Sequence, residues 1–225
     1  MKPDPRFEAL KAEIVSCRRC PRLVKYRESV PLTRAYAGQE HWRKPVPGYG
    51  DLGGKLLILG LAPARTGANR TGRIFTGDAS SRFLVSALHA AGFASQPMSE
   101  SRDDGLVYTG CYVTAAVKCV PPDDKPLPEE FGNCAPFLDA EISLLPNRAA
   151  VLALGSHAFR AYLRHLKREG GDVRGLKFGH GATYRLADGT TLFAGYHPSP
   201  RNTNTGKLTR PMLVSLLRRI RKQLG

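Results

Sequence analysis

The sequence predicts an α/β fold in which a mainly parallel sheet is covered by helices on both faces. Two observations predict it. Four apolar runs of strand length are separated by segments with helical periodicity, and 225 residues with 42% hydrophobic content suffice for one core. We therefore expect a single domain over residues 1–225. Ligands bind at the carboxyl ends of strands in such sheets, so function should lie just after Leu61, Val117, Leu154 and Tyr196.

The first 54 residues predict one helix followed by irregular chain. Asp4 and Pro5 form a helix-start pattern and apolar residues recur at helical spacing, so a helix should run up to Cys17. Residues 21–54 are rich in Pro, Gly, Arg and Tyr, with weak periodicity. This composition is typical of a long basic loop region on the surface.

The rest of the chain supplies the strands and their covering helices. Residues 55–61, KLLILGL, form a continuous apolar run, which is typical of a strand buried on both faces. The other predicted strands cover residues 107–117, 149–154 and 191–196, and the predicted helices cover residues 80–91, 129–145, 156–168 and 209–224.

The charge of the chain predicts a polyanionic partner. Lys and Arg number 34 against 19 Asp and Glu, and the resulting net charge of +15 is spread along the sequence. No long apolar run, signal-peptide pattern over residues 1–14 or lipidation motif favours a membrane. We therefore expect a cytoplasmic monomer that binds nucleic acid.

Four of the five cysteines predict a metal site. Cys17 and Cys20 form one pair and Cys119 and Cys134 a second, in a chain without an export signal, where structural disulfides are rare. Zinc and an iron-sulfur cluster both accept four thiolates, and the wide spacing of the second pair favours the cluster. The alternative is that these are small buried apolar residues, the interpretation we adopt for Cys111 inside an apolar strand.

A glycine-rich loop follows the first long strand. It contains Gly60 and Ala62 in GLAPA, and then NRTGRIFTGD over residues 69–78. Glycine lets a backbone approach a ligand closely, and Arg70 and Arg73 could neutralise phosphate oxygens. The pattern is neither a P-loop nor a dinucleotide fingerprint. It therefore predicts a site for a phosphate-bearing ligand of another kind.

A histidine motif follows the last strand. His197 begins HPSPRNTNTG over residues 197–206, where two prolines stiffen the turn. A lone histidine at a strand end is more often structural than catalytic. Its place at a ligand-binding edge, opposite a glycine-rich loop, favours the functional interpretation here.

These motifs resemble one known family. GLAPA, NRTGRIFTGD, HPSPRNTNTG and the four-cysteine spacing, in this order, are similar to the family 5, type B uracil-DNA glycosylases. The resemblance runs from Cys17 to the final helix. It implies a uracil-DNA glycosylase-like α/β/α sandwich around a four-stranded, mainly parallel sheet, and excision of uracil and other deaminated bases from DNA. It also implies a [4Fe-4S] cluster on Cys17, Cys20, Cys119 and Cys134.

The resemblance also implies roles for single residues. Phe75 matches the family's base-stacking residue, and His197 would donate a hydrogen bond to the departing base. Asp78 matches the proposed acid, but it also precedes a predicted helix and could be only its N-cap, where the helix would keep its carboxylate ionised. We place the catalytic role slightly ahead. Asn202 matches a polar residue that contacts the base or the water.

The sequence departs from two sibling families around the base. Family 4 enzymes have Glu where this chain has Leu61, and family 1 enzymes have a water-activating Asp at the position of Ala62. Both families have a uracil-reading Asn where this chain has Ala115. Loss of these polar groups predicts a more tolerant pocket, with hypoxanthine and xanthine as further substrates, because buried polar groups are what reject a wrong base.

Two other functions compete with the glycosylase. A non-catalytic nucleic-acid-binding protein with a cysteine-bound metal would bind DNA without releasing free base. A nucleotide hydrolase that uses the glycine-rich loop would act on mononucleotides without DNA.

Overall fold

The computed structural model describes residues 4–31 and 34–225. Its helices and strands alternate along the chain after residue 49, as the apolar pattern predicts. The α-helices are α1 (Pro5–Ser16), α2 (Pro21–Ser29), α3 (Ala68–Thr71), α4 (Ala79–Ala90), α5 (Pro128–Ser143), α6 (Ser156–Arg168), α7 (Pro200–Thr203) and α8 (Arg210–Leu224). The strands are β1 (Tyr49–Gly50), β2 (Leu56–Gly60), β3 (Cys111–Ala115), β4 (Ala150–Leu154), β5 (Thr183–Arg185) and β6 (Thr191–Gly195).

The strands form one sheet in the order β1-β3-β2-β4-β6-β5. The four central strands are parallel to one another, which confirms the predicted parallel sheet. A short antiparallel strand is added at each edge, β1 against β3 and β5 against β6. The sheet therefore has six strands rather than the four predicted. The edge strands have two and three residues, too few for a periodic pattern to mark them.

The sheet is covered on both faces. Leu56 and Ile58 of β2 pack in one apolar cluster with residues of α4 and α8, whereas Leu57 and Leu59 pack in a second cluster with residues of α5 and α6. Successive strand residues point to opposite faces, so a strand buried on both sides must be apolar throughout. The predicted α/β/α sandwich is confirmed.

The N-terminal region differs from the prediction in one respect. Helix α1 begins where expected, with the Asp4 carboxylate accepting a hydrogen bond from the Arg6 amide at 2.8 Å. The expected loop over residues 21–54 is wrong in part, because α2 occupies its first nine residues. This helix buries only Leu23, Val24 and the polar Arg27. An apolar pattern of two residues was too weak to indicate it.

The helices that flank the sheet lie close to their predicted positions. The predicted bounds of α6 match the observed ones, and α4, α5 and α8 differ by one or two residues at their ends. Over the described ranges, every helix is too short or too polar to cross a bilayer.

Candidate active site

A pocket opens at the carboxyl ends of three parallel strands, where the sequence predicts function. It encloses about 1150 Å³ of free space open to solvent. Leu61 follows β2, Leu154 and Gly155 lie at the end of β4, and Tyr196 and His197 follow β6. The other residues that line it are Ser156, His157, Phe178, Ser199, Arg201, Asn202, Thr205 and Lys207.

Two aromatic rings meet beside this pocket. The Phe75 and His197 rings lie 6.2 Å apart, centroid to centroid, with planes tilted by 35°. Phe75 has φ +47, a left-handed conformation that is uncommon for a bulky residue. Its ring covers Gly60, where an added Cβ would lie 2.9 Å from Phe75 Cε2. The lack of a side chain at position 60 therefore leaves room for the Phe75 ring. The packing of the ring against Gly60 stabilises the strained backbone of Phe75.

His197 is suited to donating one hydrogen bond. Burial lowers the pKa of His197 to about 4, so the imidazole is neutral at pH 7 and carries a single N–H. Among the described residues, no group hydrogen-bonds to its ring nitrogens. Its backbone carbonyl accepts a hydrogen bond from Asn202 Nδ2 at 2.8 Å. Asn202 therefore holds the histidine loop, and the amide oxygen of Asn202 stays available at the pocket.

Asp78 lies at the start of α4, as its sequence position predicts. Its Oδ1 accepts a hydrogen bond from the Ser81 amide at 2.8 Å. In return, Ser81 Oγ accepts a hydrogen bond from the Asp78 amide at 2.9 Å, which completes a capping box. Oδ2 lies against Gly67, where a Cβ would overlap it. Burial raises the pKa of Asp78 and outweighs the lowering effect of the helix amides. Because burial outweighs the helix amides, the ionised Asp78 carboxylate is a stronger base than an ordinary aspartate. Asp78 is not among the residues that line the pocket.

The four cysteines predicted as ligands line one common cavity. Cys17 and Cys20 lie between α1 and α2, Cys119 follows β3, and Cys134 lies in α5. In residues 4–31 and 34–225, no three His, Cys, Asp or Glu side chains converge closely enough to hold a lone metal ion. Four cysteines that line one cavity are a donor set that both zinc and an iron-sulfur cluster accept.

Three of the four cysteines of this cavity are buried, and Cys17 is half-buried. Burial raises the pKa of Cys119 to about 11 and that of Cys134 to about 12. The Cys20 sulfur accepts a hydrogen bond from Asn133 Nδ2 at 3.4 Å, and the Cys119 sulfur accepts one from Arg27 Nη1 at 3.0 Å. Hydrogen bonds to sulfur are a common means of tuning bound clusters. Cys111 lies apart in β3, packed in the core, as predicted.

A buried ion pair lies beside the cysteine cavity, just after β3. Lys118 Nζ lies 2.6 Å from Glu141 Oε2, and the two side chains are 1% and 0% exposed. Lys118 also donates to the Ala115 carbonyl at 2.8 Å, and the next residue is Cys119. Ala115 pairs with Gly60 across the sheet. The end of β3 therefore lies beside Gly60 at Ala115 and reaches the cysteine cavity four residues later.

Comparison with known proteins agrees with this geometry. The model of the uracil DNA glycosylase superfamily matches residues 47–221. The chain belongs to the uracil-DNA glycosylase superfamily. The type-5 uracil-DNA glycosylase of Thermus thermophilus is 46% identical over 219 residues, 97% of this chain and 98% of that protein. That of Pyrobaculum aerophilum is 46% identical over 212 residues, 94% of this chain and 91% of that protein.

A more distant match helps to place the chain within the superfamily. The type-4 uracil-DNA glycosylase of Sulfurisphaera tokodaii is 27% identical over 154 residues, 68% of this chain and 56% of that protein. The longer and closer matches to type-5 proteins confirm the resemblance that the motifs indicate.

Two alanines of this superfamily member lie in different surroundings. Ala115 is 1% exposed and belongs to the same apolar cluster as Phe75. It also pairs with Gly60, which the Phe75 ring covers. Ala62 instead packs against the cluster of Cys20, Cys119 and Cys134. The structure places it on the side of the cysteine cavity.

The two arginines of the glycine-rich loop do not have the predicted placement. Arg73 is 3% exposed and Nη2 contacts both carboxylate oxygens of Asp104, at 2.7 and 2.8 Å. Its Nε donates to Thr76 Oγ1 at 2.9 Å. The expected phosphate contact of Arg73 is wrong, because the guanidinium is buried and its hydrogen bonds are made within the protein. A motif in sequence does not reveal which way a side chain points.

Arg70 is engaged in a similar way. Its Nε donates to the Thr66 carbonyl at 2.8 Å and its Nη1 donates to Gln39 Oε1 at 3.1 Å. The guanidinium carbon also lies 4.1 Å from the centroid of the Tyr36 ring. Arg70 thus braces the glycine-rich loop against a neighbouring loop. Its predicted contact with phosphate would require these interactions to open.

Several pocket residues were not singled out from the sequence. Arg201 is exposed at the pocket, and its side chain makes no hydrogen bond within the described part of the chain. Lys207 Nζ lies 4.9 Å from the Tyr196 ring centroid, and His157 lies at the start of α6. The expectation that ligands bind at the carboxyl ends of parallel strands predicted where this pocket lies. The order of residues after Leu154 carried no motif that distinguished His157 from other helical residues.

Proposed function

We propose that this protein is a type-5 uracil-DNA glycosylase that hydrolyses the N-glycosidic bond of uracil in DNA and leaves an abasic site. The observation that carries the proposal is the pairing of Phe75 with a half-buried, neutral His197 at the strand-end pocket. Two type-5 uracil-DNA glycosylases match nearly the whole chain at 46% identity.

The reaction begins when the damaged nucleotide turns out of the DNA stack into the pocket. Extrusion costs a few kcal/mol and is easiest for mispaired bases. The base stacks on Phe75, and cleavage of the bond to the sugar leaves negative charge on a base oxygen. The neutral imidazole of His197 donates its N–H to that oxygen as the charge develops, which is worth roughly 3 kcal/mol. Because His197 is already neutral, no proton has to leave it first.

Asp78 supplies the carboxylate on the sugar side. Its raised pKa makes it a better acceptor for the proton of an attacking water. Its charge also stabilises the positive charge that builds on the sugar. Asn202 holds the His197 backbone and offers its amide oxygen to the base or to the water.

The base pocket is proposed to accept other deaminated bases. Leu61 lines the pocket, and Ala115 lies in the cluster that contains the Phe75 ring. Neither side chain has a hydrogen-bonding group that a purine would leave unpaired, so hypoxanthine and xanthine lose little relative to uracil.

A [4Fe-4S] cluster is proposed as the resident cofactor. Cys17, Cys20, Cys119 and Cys134 line one cavity, and together they supply the four thiolates that such a cluster takes. When bound, the cluster supplies cross-links between the N-terminal helices, β3 and α5. Ala62 packs against these cysteines, so the cross-links also support the start of the glycine-rich loop.

DNA is proposed to bind across the mouth of the pocket. The net charge of +15 favours a polyanion, and Arg201, Lys207 and Arg65 are exposed cations near the ends of the strands. These side chains can neutralise phosphates. We propose that the protein acts as a monomer in the cytoplasm, as the sequence predicts.

One experiment tests this function against its rivals. The protein is incubated with duplexes that carry a single uracil, hypoxanthine or xanthine, and abasic sites are cleaved with alkali. A normal duplex and free deoxyuridine monophosphate serve as controls. Strand cleavage only at the damaged site supports the proposal. Binding without cleavage favours a non-catalytic DNA-binding protein, and activity on the mononucleotide alone favours a nucleotide hydrolase.

A further inference from the structure

Arg27 is a buried cation beside the cysteine cavity. Arg27 belongs to α2 and is 2% exposed. Nη1 donates to the Cys119 sulfur at 3.0 Å and to the Cys17 carbonyl at 3.1 Å. The guanidinium therefore contacts the residues of two of the four proposed ligands. Arg27 itself lines the cavity that the four cysteines surround.

The positive charge of Arg27 is poorly balanced by carboxylates. Glu28 Oε1 lies 3.8 Å from Arg27 Nη2, but the same oxygen lies 2.6 Å from Arg18 and the Glu28 side chain is 44% exposed. Arg27 Nε is buried and has no hydrogen-bond partner among the described residues. A buried charge without a partner is strongly destabilising. Something else near Arg27 must carry negative charge.

We propose that Arg27 is the counter-cation of the iron-sulfur cluster and fixes its Cys119 ligand by an N–H···S hydrogen bond. This inference rests on the proposed cofactor. Four thiolates outweigh the positive charge of the iron-sulfur core, so the loaded site is an anion. A neighbouring cation stabilises the more negative, reduced form of the cluster over the oxidised form. Arg27 thus sets how readily the cluster accepts an electron from an electrode.

Arg27 also connects the cluster to the glycine-rich loop. Its backbone carbonyl accepts a hydrogen bond from Asn69 Nδ2 at 3.3 Å, and the Asn69 side chain is buried. The Asn69 carbonyl accepts a hydrogen bond from the Arg43 amide at 3.0 Å. Helix α2, which carries Arg27, is therefore hydrogen-bonded to the glycine-rich loop that carries Phe75. Arg27 is a positioning residue rather than a catalytic one.

The test compares matched substitutions of two arginines that line the same cavity. Arg27→Gln removes the charge, Arg27→Lys keeps it, and Arg19→Gln is the control. Arg19 also lines the cavity, but its side chain is 47% exposed and pairs with Glu13. The readouts are iron and sulfide content, the reduction potential of the cluster at an electrode without oxygen, and the rate at which visible absorption fades in air.

Arg27→Gln should have a more negative reduction potential and should lose its absorption about tenfold faster in air, since hydrogen bonds to charged groups are among the stronger ones. Arg27→Lys should stay close to wild type, which a purely packing role would not produce. Arg19→Gln should match wild type. An iron-loaded Arg27→Gln protein with unchanged potential and fading rate would overturn the inference.

A measurement on the wild-type protein covers the case in which Arg27→Gln does not fold. Protein labelled with ¹⁵N-arginine and reduced should give a ¹⁵N hyperfine coupling to the cluster in pulsed electron paramagnetic resonance, and Arg19→Gln should keep it. Absence of the coupling overturns the role of Arg27 even though the cluster is present. Wild-type protein purified without oxygen that contains no iron or sulfide would overturn the cofactor, and this role with it.

Discussion

The ring of Phe75 lies directly over Gly60, and any Cβ at position 60 would come within 2.9 Å of Phe75 Cε2. The same ring faces His197 at 6.2 Å. A glycine at the end of β2 therefore fixes the distance between the stacking ring and the hydrogen-bond donor. Under the proposed function, the position of a base that stacks on Phe75 relative to the His197 N–H depends on this spacing.

Gly60→Ala should displace the Phe75 ring. We expect a loss of about 1 to 3 kcal/mol of stability from overpacking and a lower single-turnover rate of uracil release. Thermal unfolding and rapid-quench kinetics measure the two effects. Gly132→Ala is the control, because a Cβ there meets nothing within 4 Å. An unchanged rate in Gly60→Ala would show that the spacing of the rings is not critical.

His197→Ala should lower the single-turnover rate about 100-fold and leave DNA affinity nearly unchanged, because the hydrogen bond forms only as charge develops. His157→Ala, also at the pocket, should lose much less. Since burial lowers the pKa of His197 to about 4, protonation of this histidine should not affect the rate between pH 5 and 8. A rate that falls near pH 6.5 in wild type but not in His197→Ala would contradict a neutral donor.

Asp78→Asn separates the charge of Asp78 from its cap. The amide oxygen can still accept from Ser81, so the helix start is kept. Because the folded-state pKa of Asp78 is raised, its contribution to stability is present below pH 3.8 and lost as pH rises through the folded pKa. At pH 7 the Asn variant should therefore melt no lower than wild type, while its rate of uracil release falls sharply.

Asp78→Ala should be slow as well and should lose about 1 kcal/mol of stability through the missing cap. Melting curves and single-turnover rates, measured together, distinguish the two variants. If Asp78→Asn cleaves at the normal rate, Asp78 is only a helix cap, and Asn202→Ala becomes the decisive variant.

Arg201→Ala should weaken DNA binding, whereas Arg73→Ala should lower stability. Arg201 is exposed at the pocket mouth, so its loss should weaken binding to all DNA sequences and reduce the salt slope by about one. Arg73 pairs with Asp104 inside the protein, so its loss should cost about 3 kcal/mol of stability or more and leave the slope unchanged. Salt titrations of DNA binding, with melting temperatures, measure both. A reduced slope in Arg73→Ala alone would reverse this assignment.

Cys17→Ser and Cys134→Ser should lose the brown colour of protein purified without oxygen. Cys111→Ser is the matched control and should keep it, because Cys111 lies in β3 away from the cavity. Iron analysis and visible spectra test the set. Colourless wild-type protein with stoichiometric zinc would refute the cluster.

Much of the fold was predictable because buried parallel strands leave a strong local signal. The apolar run of β2 and the amphipathic pattern of α6 each depend only on neighbouring residues. Helix α2 and strands β1 and β5 were missed because their few residues are stabilised by distant contacts. Arg27, for example, looks like a surface residue in the sequence, and its burial depends on cysteines more than ninety positions away.

The site was predictable in outline rather than in detail. The strand-end rule located the pocket, and the motifs identified His197 and Asn202, which both line it. Side-chain direction is decided by packing, which a motif does not encode. Arg73 therefore looked like a phosphate contact although Asp104 holds it inside. The pKa of Asp78 likewise depends on burial that no local sequence rule reveals.

The end of β3 constrains how this enzyme family can diversify. Lys118 is locked to Glu141 and precedes Cys119, so a change there disturbs the cysteine cavity as well as the strand. A change of the Ala115 side chain does not remove a contact of Lys118, because the Ala115 carbonyl, not its side chain, accepts the Lys118 hydrogen bond. Under the proposed function, a substitution at position 115 would alter which bases are accepted and leave the Lys118–Glu141 pair intact, whereas a substitution at position 118 would break that pair beside the cysteine cavity.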